Sequence, residues 1–251
     1  MRRLLTRRSA RQAEGAYVVE GTKLVEEALQ RGADVEGVYW APGAPPALLA
    51  RAHDHGIRVF ELAAGVMERV ADAVTPQPVL AVVATARSSL EDLRDATMVL
   101  VGAEVRDPGN AGTLLRTARA AGADGVVWSP GSVDLRNPKT VRASAGALFG
   151  SVVVEGVGVD QALAKLGGWG LERLAAVPAG GCDHAGMDLT RPFALVVGNE
   201  AHGLAPGRTS EVDRLVTIPM AADTESLNVA TATGVILFEA ARQRRPGGAV
   251  Q

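Results

Sequence analysis

The stretch "TIPMAADTESLNVATATGVILFEAARQRR", residues 217–245, contains a strand end, a polar hinge and a helix in that order. From Val229 onward Ala, Val, Ile, Leu and Phe recur at helical spacing. The run ends in Arg242, Arg244 and Arg245, cations that suit the negative end of a helix dipole. Before it, Ile218, Pro219 and Met220 leave a strand. Between the two stands "ESLNVA", where Ser226 and Asn228 are small and polar at the mouth of a helix otherwise composed for a core. Taken alone, each reads as an ordinary capping residue. Two other strand ends give them a different meaning.

Apolar β-type runs alternate with helical ones along the whole chain. In the first part "AYVVE" (16–20), "VEGVYW" (35–40), "IRVFEL" (57–62) and "VLAVVAT" (79–85) are separated by "TKLVEEALQRG" (22–32), ended by Gly32, and by "APPALLARAHDHG". This pace predicts a small α/β sandwich over residues 1–86. The polar "RSSLEDLRDA" reads as a linker or short connecting helix over 87–96. The alternation restarts in 97–251 with "TMVLVGAEV", "ADGVVWS", "SVVVEG", "LERLAAV", "FALVVGNE" and "RLVTIPM". Strands this continuously apolar predict a mostly parallel sheet covered on both faces by helices. In such sheets ligands sit beyond the carboxyl ends of the strands.

Three strand ends carry polar, glycine-rich residues. "VRDPGNAGTLLRTARAAG" places Pro108 at a helix start and Asn110 in the first turn. Ala111, Leu114, Leu115 and Ala118 form its core face, and Arg116 follows Asn110 by six residues. The bland reading makes Asn110 a cap and Arg116 a surface cation. "FALVVGNEAHGL" runs a buried strand into Gly198, Asn199 and Glu200, where Gly198 lets a ligand approach the backbone closely. The third end is the stretch quoted first. The GxGxxG spacing of a dinucleotide site is absent, so a dehydrogenase is a distant reading.

Composition sets the remaining bounds. Net charge is −2, so the chain as a whole is no polycation, yet "MRRLLTRRSARQ" concentrates Arg2, Arg3, Arg7, Arg8 and Arg11 before the first acid, Glu14. An Arg-rich, acid-poor start has the composition of a targeting segment, but strand-like "AYVVE" follows directly, so a leader is not expected. The single cysteine, Cys182, excludes an internal disulfide and a cysteine zinc cluster. "HDH" at 53–55 lacks supporting ligands nearby and reads as surface. A cytoplasmic, metal-free protein with no membrane span is expected.

In this order, Asn110 with Arg116, then "GNEAHGL", then "IPM…SLNVA" resemble the SpoU (TrmH) family of RNA ribose 2′-O-methyltransferases, within the knotted SPOUT methyltransferases. The resemblance covers about 97–243, and "NPKTVRASAGALF" is similar to the family's segment before the second motif. "YVVEGTKLVEEALQRGADVEGVYW" resembles the ribosomal-protein-like RNA-binding domain that many members carry. The resemblance implies a deep trefoil knot and S-adenosylmethionine bound at Gly198, Asn199, Ile218, Met220 and Leu227, largely through backbone groups. It implies catalysis by Asn110, Arg116, Glu200, Ser226 and Asn228, with no metal. Arginine stays charged in proteins, so the role expected of Arg116 is to hold a phosphate and stabilise developing negative charge. RNA contacts are expected from Arg3, Arg7 and Arg8, and from Arg136, Lys139 and Arg142 near the active site. The knotted halves would pair as a homodimer. The substrate implied is structured RNA of the 23S ribosomal type. Transfer RNA, or a non-catalytic ribosome-assembly role on the same fold, are the alternatives.

Overall fold

The computed structural model describes residues 1–71, 76–199, 203–204, 211–221 and 224–245 of the chain. The first run of elements is α1 (Arg2–Thr6), α2 (Arg8–Glu14), β1 (Ala16–Glu20), α3 (Thr22–Gln30), β2 (Val35–Trp40), α4 (Pro46–Asp54), β3 (Arg58–Glu61), α5 (Val66–Val70) and β4 (Val79–Ala84). The second is β5 (Met98–Gly102), α6 (Pro108–Ala121), β6 (Gly125–Trp128), α7 (Pro138–Ser144), β7 (Val152–Glu155), α8 (Val159–Gly168), β8 (Glu172–Ala176), β9 (Cys182–Asp183), β10 (Phe193–Val197), β11 (Arg214–Thr217) and α9 (Val229–Arg244). No described helix is long and apolar enough to cross a membrane.

The chain forms two compact units. One comprises Met1–Ala86 with Asp134–Gly150, the other Arg87–Val133 with Ser151–Gln251. In the first unit four strands lie in the order β1-β4-β2-β3, antiparallel except for β2 beside β3. Helix α3 shows how local sequence sets its ends. Gly32 takes φ +66 and closes the helix as its position suggested, with Gly32 N–H donating to the Leu29 carbonyl and Ala33 N–H to that of Ala28.

Residues 134–150 lie in the first unit, although chain order places them between β6 and β7 of the second. Leu135, Val141, Ala147, Leu148 and Phe149 are buried, and α7 packs on β1. Charge fastens the segment. Arg11 donates through Nε to Asp134 at 2.8 Å, holds the same carboxylate through Nη2 at 2.6 Å, and donates through Nη1 to the Leu4 carbonyl at 2.6 Å. Arg136 is buried too. Desolvation lowers the pKa of its guanidinium, partly offset by Tyr17 and Asp134. Burial also pushes the Tyr17 phenol up to about 12.

The second unit holds seven strands, all parallel, in the order β7-β6-β5-β10-β8-β11-β9. Helices α6 and α9 pack on each other. A separate cluster joins Val99, Val101, Val127, Val154, Ala194 and Val196 of the strands to Val159, Leu163 and Leu166 of α8. The stretch expected as a linker, 87–96, belongs to this cluster. Leu90 and Leu93 form a 3-10 turn and are buried in it. A Cβ at Gly125 of β6 would stand 2.4 Å from the Leu93 side chain, so glycine there makes room for the turn.

The Arg11–Asp134 pair is a test of how the first unit is held. Removing one partner of a buried ion pair leaves the other charged and desolvated. Arg11→Ala is therefore expected to lower unfolding free energy by about 3–5 kcal/mol. Chemical denaturation of the full chain measures it, and a change below roughly 1 kcal/mol would show that this pair does not hold segment 134–150 in place.

Candidate active site

Strands β10, β8 and β11 are neighbours and parallel, so their carboxyl ends open on one side of the sheet. Beyond them lies a cavity of about 650 Å³. Its walls are the residues at and just past each strand end: Val197, which ends β10, with Gly198 and Asn199 after it, Val177 and Pro178 after β8, Ile218 and Met220 after β11. Ser226, Leu227, Asn228 and Val229 close one side, with Ala232 and Ile236 from α9. Seven residues singled out from sequence, Gly198, Asn199, Ile218, Met220, Ser226, Leu227 and Asn228, thus share one cavity.

Asn228 is the N-cap of α9. Its Oδ1 accepts from the N–H groups of Ala230 (2.9 Å) and Thr231 (3.2 Å). Its Nδ2 donates to Oδ1 of Asn110 at 2.9 Å. Asn110 can turn its side chain that way because it is not the cap of α6. That role belongs to Asp107, whose Oδ1 accepts the Asn110 N–H at 2.7 Å, with Pro108 in the first turn. Two helix starts are thereby joined beside the cavity.

Gly198 is small for a reason the sequence did not show. A Cβ there would lie 2.4 Å from the Gly203 carbonyl group and 2.6 Å from the Leu204 nitrogen. Asn199 and Gly203 exchange backbone hydrogen bonds at 2.9 and 2.8 Å, which folds the chain back over Gly198. The Asn199 carboxamide donates to the Glu104 carbonyl at 3.0 Å, and Glu104 holds a positive φ of +55 on the way into α6. The Asn199 side chain thus ties the cavity-lining loop after β10 to the loop after β5.

Other residues fall elsewhere. Arg116 is exposed on α6 with Thr113 and Ala120, away from its buried face, and does not line the cavity. Glu200 lies outside the described residues. Arg136, expected to meet RNA near the active site, is buried in the first unit and cannot reach a phosphate there. Arg142 and Lys139 also belong to the first unit. Arg142 stands 3.9 Å from the buried Glu20 carboxylate, and Lys139 is exposed. Arg3, Arg7 and Arg8 are exposed around α1 and α2. Sequence reasoning missed Val177 and Pro178. Their signal was the "VPAGG" that ends β8, but only the strand order puts β8 between β10 and β11.

The fold and cavity define a parallel-sheet enzyme with its site at the strand ends. The model of the SpoU rRNA Methylase family matches residues 97–238, and that of an MRM3-like substrate binding domain matches residues 1–81. The chain belongs to the SpoU rRNA methylase family. It is 31% identical to the 23S rRNA (guanosine(2553)-2′-O)-methyltransferase RlmP of Bacillus subtilis, over 88% of this chain and 87% of that protein. The 23S rRNA (uridine(2479)-2′-O)-methyltransferase of Streptomyces viridochromogenes is 31% identical, over 97% and 88%. Among solved structures, an AdoMet-bound rRNA methyltransferase from Sinorhizobium meliloti superposes with a TM-score of 0.83 at 32% identity, covering 96% of this chain and 92% of that one.

The Asn228 geometry has a measurable consequence. Asn228→Ala removes the cap of α9 and is expected to cost about 1 kcal/mol. Asn228→Asp keeps an acceptor for the cap, and the Asn110 amide can rotate to donate to it, so stability should stay within about 0.5 kcal/mol of the parent. Equal stability of the alanine variant and the parent in urea titration would show that α9 does not depend on this cap.

Proposed function

We propose that the protein transfers the methyl group of S-adenosylmethionine to a ribose 2′-oxygen of structured RNA, of the 23S ribosomal type. The observation that carries this reading is the cavity beyond β10, β8 and β11 with the Asn110–Asn228 pair beside it. The residues present fit such a cofactor. The volume lies in the range of small-molecule sites, about 300–1,000 Å³. Val197, Leu204, Val216, Ile218, Leu227 and Ile236 give an apolar lining for a purine. Backbone groups at Gly198, Ile218 and Met220 stand at its wall to recognise the purine's edges. Relatives with this fold have been solved with AdoMet bound, the AviRb methyltransferase of Streptomyces viridochromogenes among them.

When bound, the cofactor supplies a methyl carbon activated by a sulfonium centre. A ribose hydroxyl is a weak nucleophile at neutral pH, so the chain's part is to place the oxygen in line and favour the charge that develops on it. Asn110, Ser226 and Asn228 orient the ribose, with Glu200 assigned to the same task. Arg116 holds the adjacent phosphate and, as a permanently charged planar donor, stabilises negative charge on the 2′-oxygen as its proton passes to solvent water.

The rest of the reading concerns organisation. The first unit binds RNA, with exposed Arg3, Arg7, Arg8 and Lys139 as phosphate contacts. Arg142 contributes only as far as its pairing with Glu20 allows. The second unit carries the chemistry, and membership of this family implies a trefoil knot within it. The outer face of α9 exposes Val235 and Phe238 one turn apart, and two chains pair there. The setting is the cytoplasm, where ribosomal RNA is made into ribosomes.

Arg116 decides between the sharp and the bland reading. Arg116→Ala is expected to slow single-turnover methylation of 23S ribosomal RNA by ~100-fold or more while leaving cofactor affinity unchanged. Arg116→Lys should recover only part, because an ammonium lacks the planar fork. A normal rate in the alanine variant removes Arg116 from the chemistry. Gly198→Ala should instead weaken cofactor binding by calorimetry, because its Cβ displaces the backbone at Gly203 and Leu204.

A further inference from the structure

Four large apolar side chains are exposed among the described residues: Phe60, Leu227, Val235 and Phe238. Leu227 lines the cavity, and Val235 and Phe238 share the outer face of α9. Phe60 alone has no task in the reading above. It lies on β3, at the edge of the first unit's sheet, where Tyr39 of β2 is its register partner and Gly37 is that of Arg58. The Tyr39 and Phe60 rings stack with centroids 5.2 Å apart and planes inclined by 21°. Tyr39 is half-buried against the cluster of Leu4, Leu5, Val18 and Leu80. Phe60 keeps 40% of its surface exposed, so the pair is anchored on one side and open on the other.

Two neighbours shape the open side. The Arg58 guanidinium carbon stands 5.9 Å from the Phe60 centroid, and Arg58 is itself exposed. A Cβ at Gly37 would touch both rings at about 3.5 Å, so glycine leaves their flank uncovered where a side chain would pad it. The acid next in sequence, Glu61, projects from the opposite face by strand alternation. An exposed ring backed by a second ring, with a cation at its rim, matches the demands of an unpaired nucleobase, which stacks on aromatic faces and on arginine. The patch is one ring wide, too small for a stable protein interface. It also belongs to the unit whose α1 and α2 expose Arg2, Arg3, Arg7 and Arg8 to a polyanion.

We propose that Phe60 and Tyr39, flanked by Arg58 and Gly37, form a stacking platform that takes one unpaired base of the RNA substrate. The proposal rests on the RNA-methylating reading and adds to it a point of base contact remote in sequence from the cofactor cavity. The arginines bind duplex and single strand alike through phosphates, whereas the platform requires a base out of its stack. It therefore selects RNA with a loop or bulge over a plain duplex.

The test uses the full chain with two probes, a single-stranded oligoribonucleotide carrying one fluorescent base analogue and a blunt duplex of the same sequence. The parent should quench the analogue on binding. Phe60→Leu should abolish the quenching and weaken single-strand binding roughly 10-fold, with duplex affinity unchanged. Phe60→Trp should restore both. On 23S ribosomal RNA the leucine variant should raise KM and leave kcat alone. Undiminished single-strand binding by Phe60→Leu overturns the platform. So does an equal loss on both probes, and so does a changed sedimentation coefficient, which marks a protein contact instead. If the parent binds neither probe and methylates no ribosomal RNA, the RNA reading itself fails. If it methylates normally and ignores Phe60, only the platform does.

Discussion

The Asn228 carboxamide is used from both ends. Its oxygen satisfies two N–H groups at the start of α9, and its nitrogen holds Asn110 near the start of α6. An alanine could do neither, and a serine could cap without reaching the second helix with an amide. The two helices pack along their length, so this hydrogen bond fixes where both begin relative to the cavity wall. The Asn199 carboxamide, bonded to the Glu104 carbonyl, ties the loop after β10 to the loop after β5. Two amide side chains thus fasten segments distant in sequence around one opening, a task for groups that both donate and accept.

The first unit depends on a different economy of charge. Its residues 1–86 bury Arg11 and Glu20, and the partner of Arg11 is Asp134, from far along the chain. Arg136 and Tyr17 are buried in the same unit, and the Arg136 charge opposes the rise that burial gives the Tyr17 phenol. Groups of this kind contribute less to net stability than to specificity, because any other arrangement would strand a charge in the interior. The unit is in this sense keyed to segment 134–150, which no apolar surface alone would select so sharply.

Most strands were legible because a buried parallel strand is written as a short, nearly continuous apolar run, and such runs bounded by glycine or polar residues are hard to mistake. The strand-end residues were legible for a related reason, since polar groups straight after a buried strand have no structural need to be there. What could not be read depends on distance in space. Leu135, Val141 and Phe149 are apolar in the same way whichever core they fill, so segment 134–150 was given to the wrong half. Leu90 and Leu93 sit among charges in "SSLEDLRD" and looked like a linker, because only two of its faces turn inward. Arg136 was taken for a surface cation because the buried environment of a lone arginine leaves no trace in its neighbours. Gly198 was expected to let a ligand approach the backbone closely, whereas the group that stands against it within the chain is the backbone of Gly203 and Leu204.

The chain passes between its two units three times, at 86–87, 133–134 and 150–151. Domains made first are usually free to fold while the remainder is still being synthesised. Here the amino-terminal unit lacks its last helix and the counter-charge for Arg11 until residue 150 has left the ribosome. Its sheet must therefore wait, partly uncovered, while β5, α6 and β6 of the other unit emerge. The same interlacing bears on dissection, because a cut at 86–87 separates Arg11 from Asp134 and strips the buried side chains of segment 134–150 of the unit they fill.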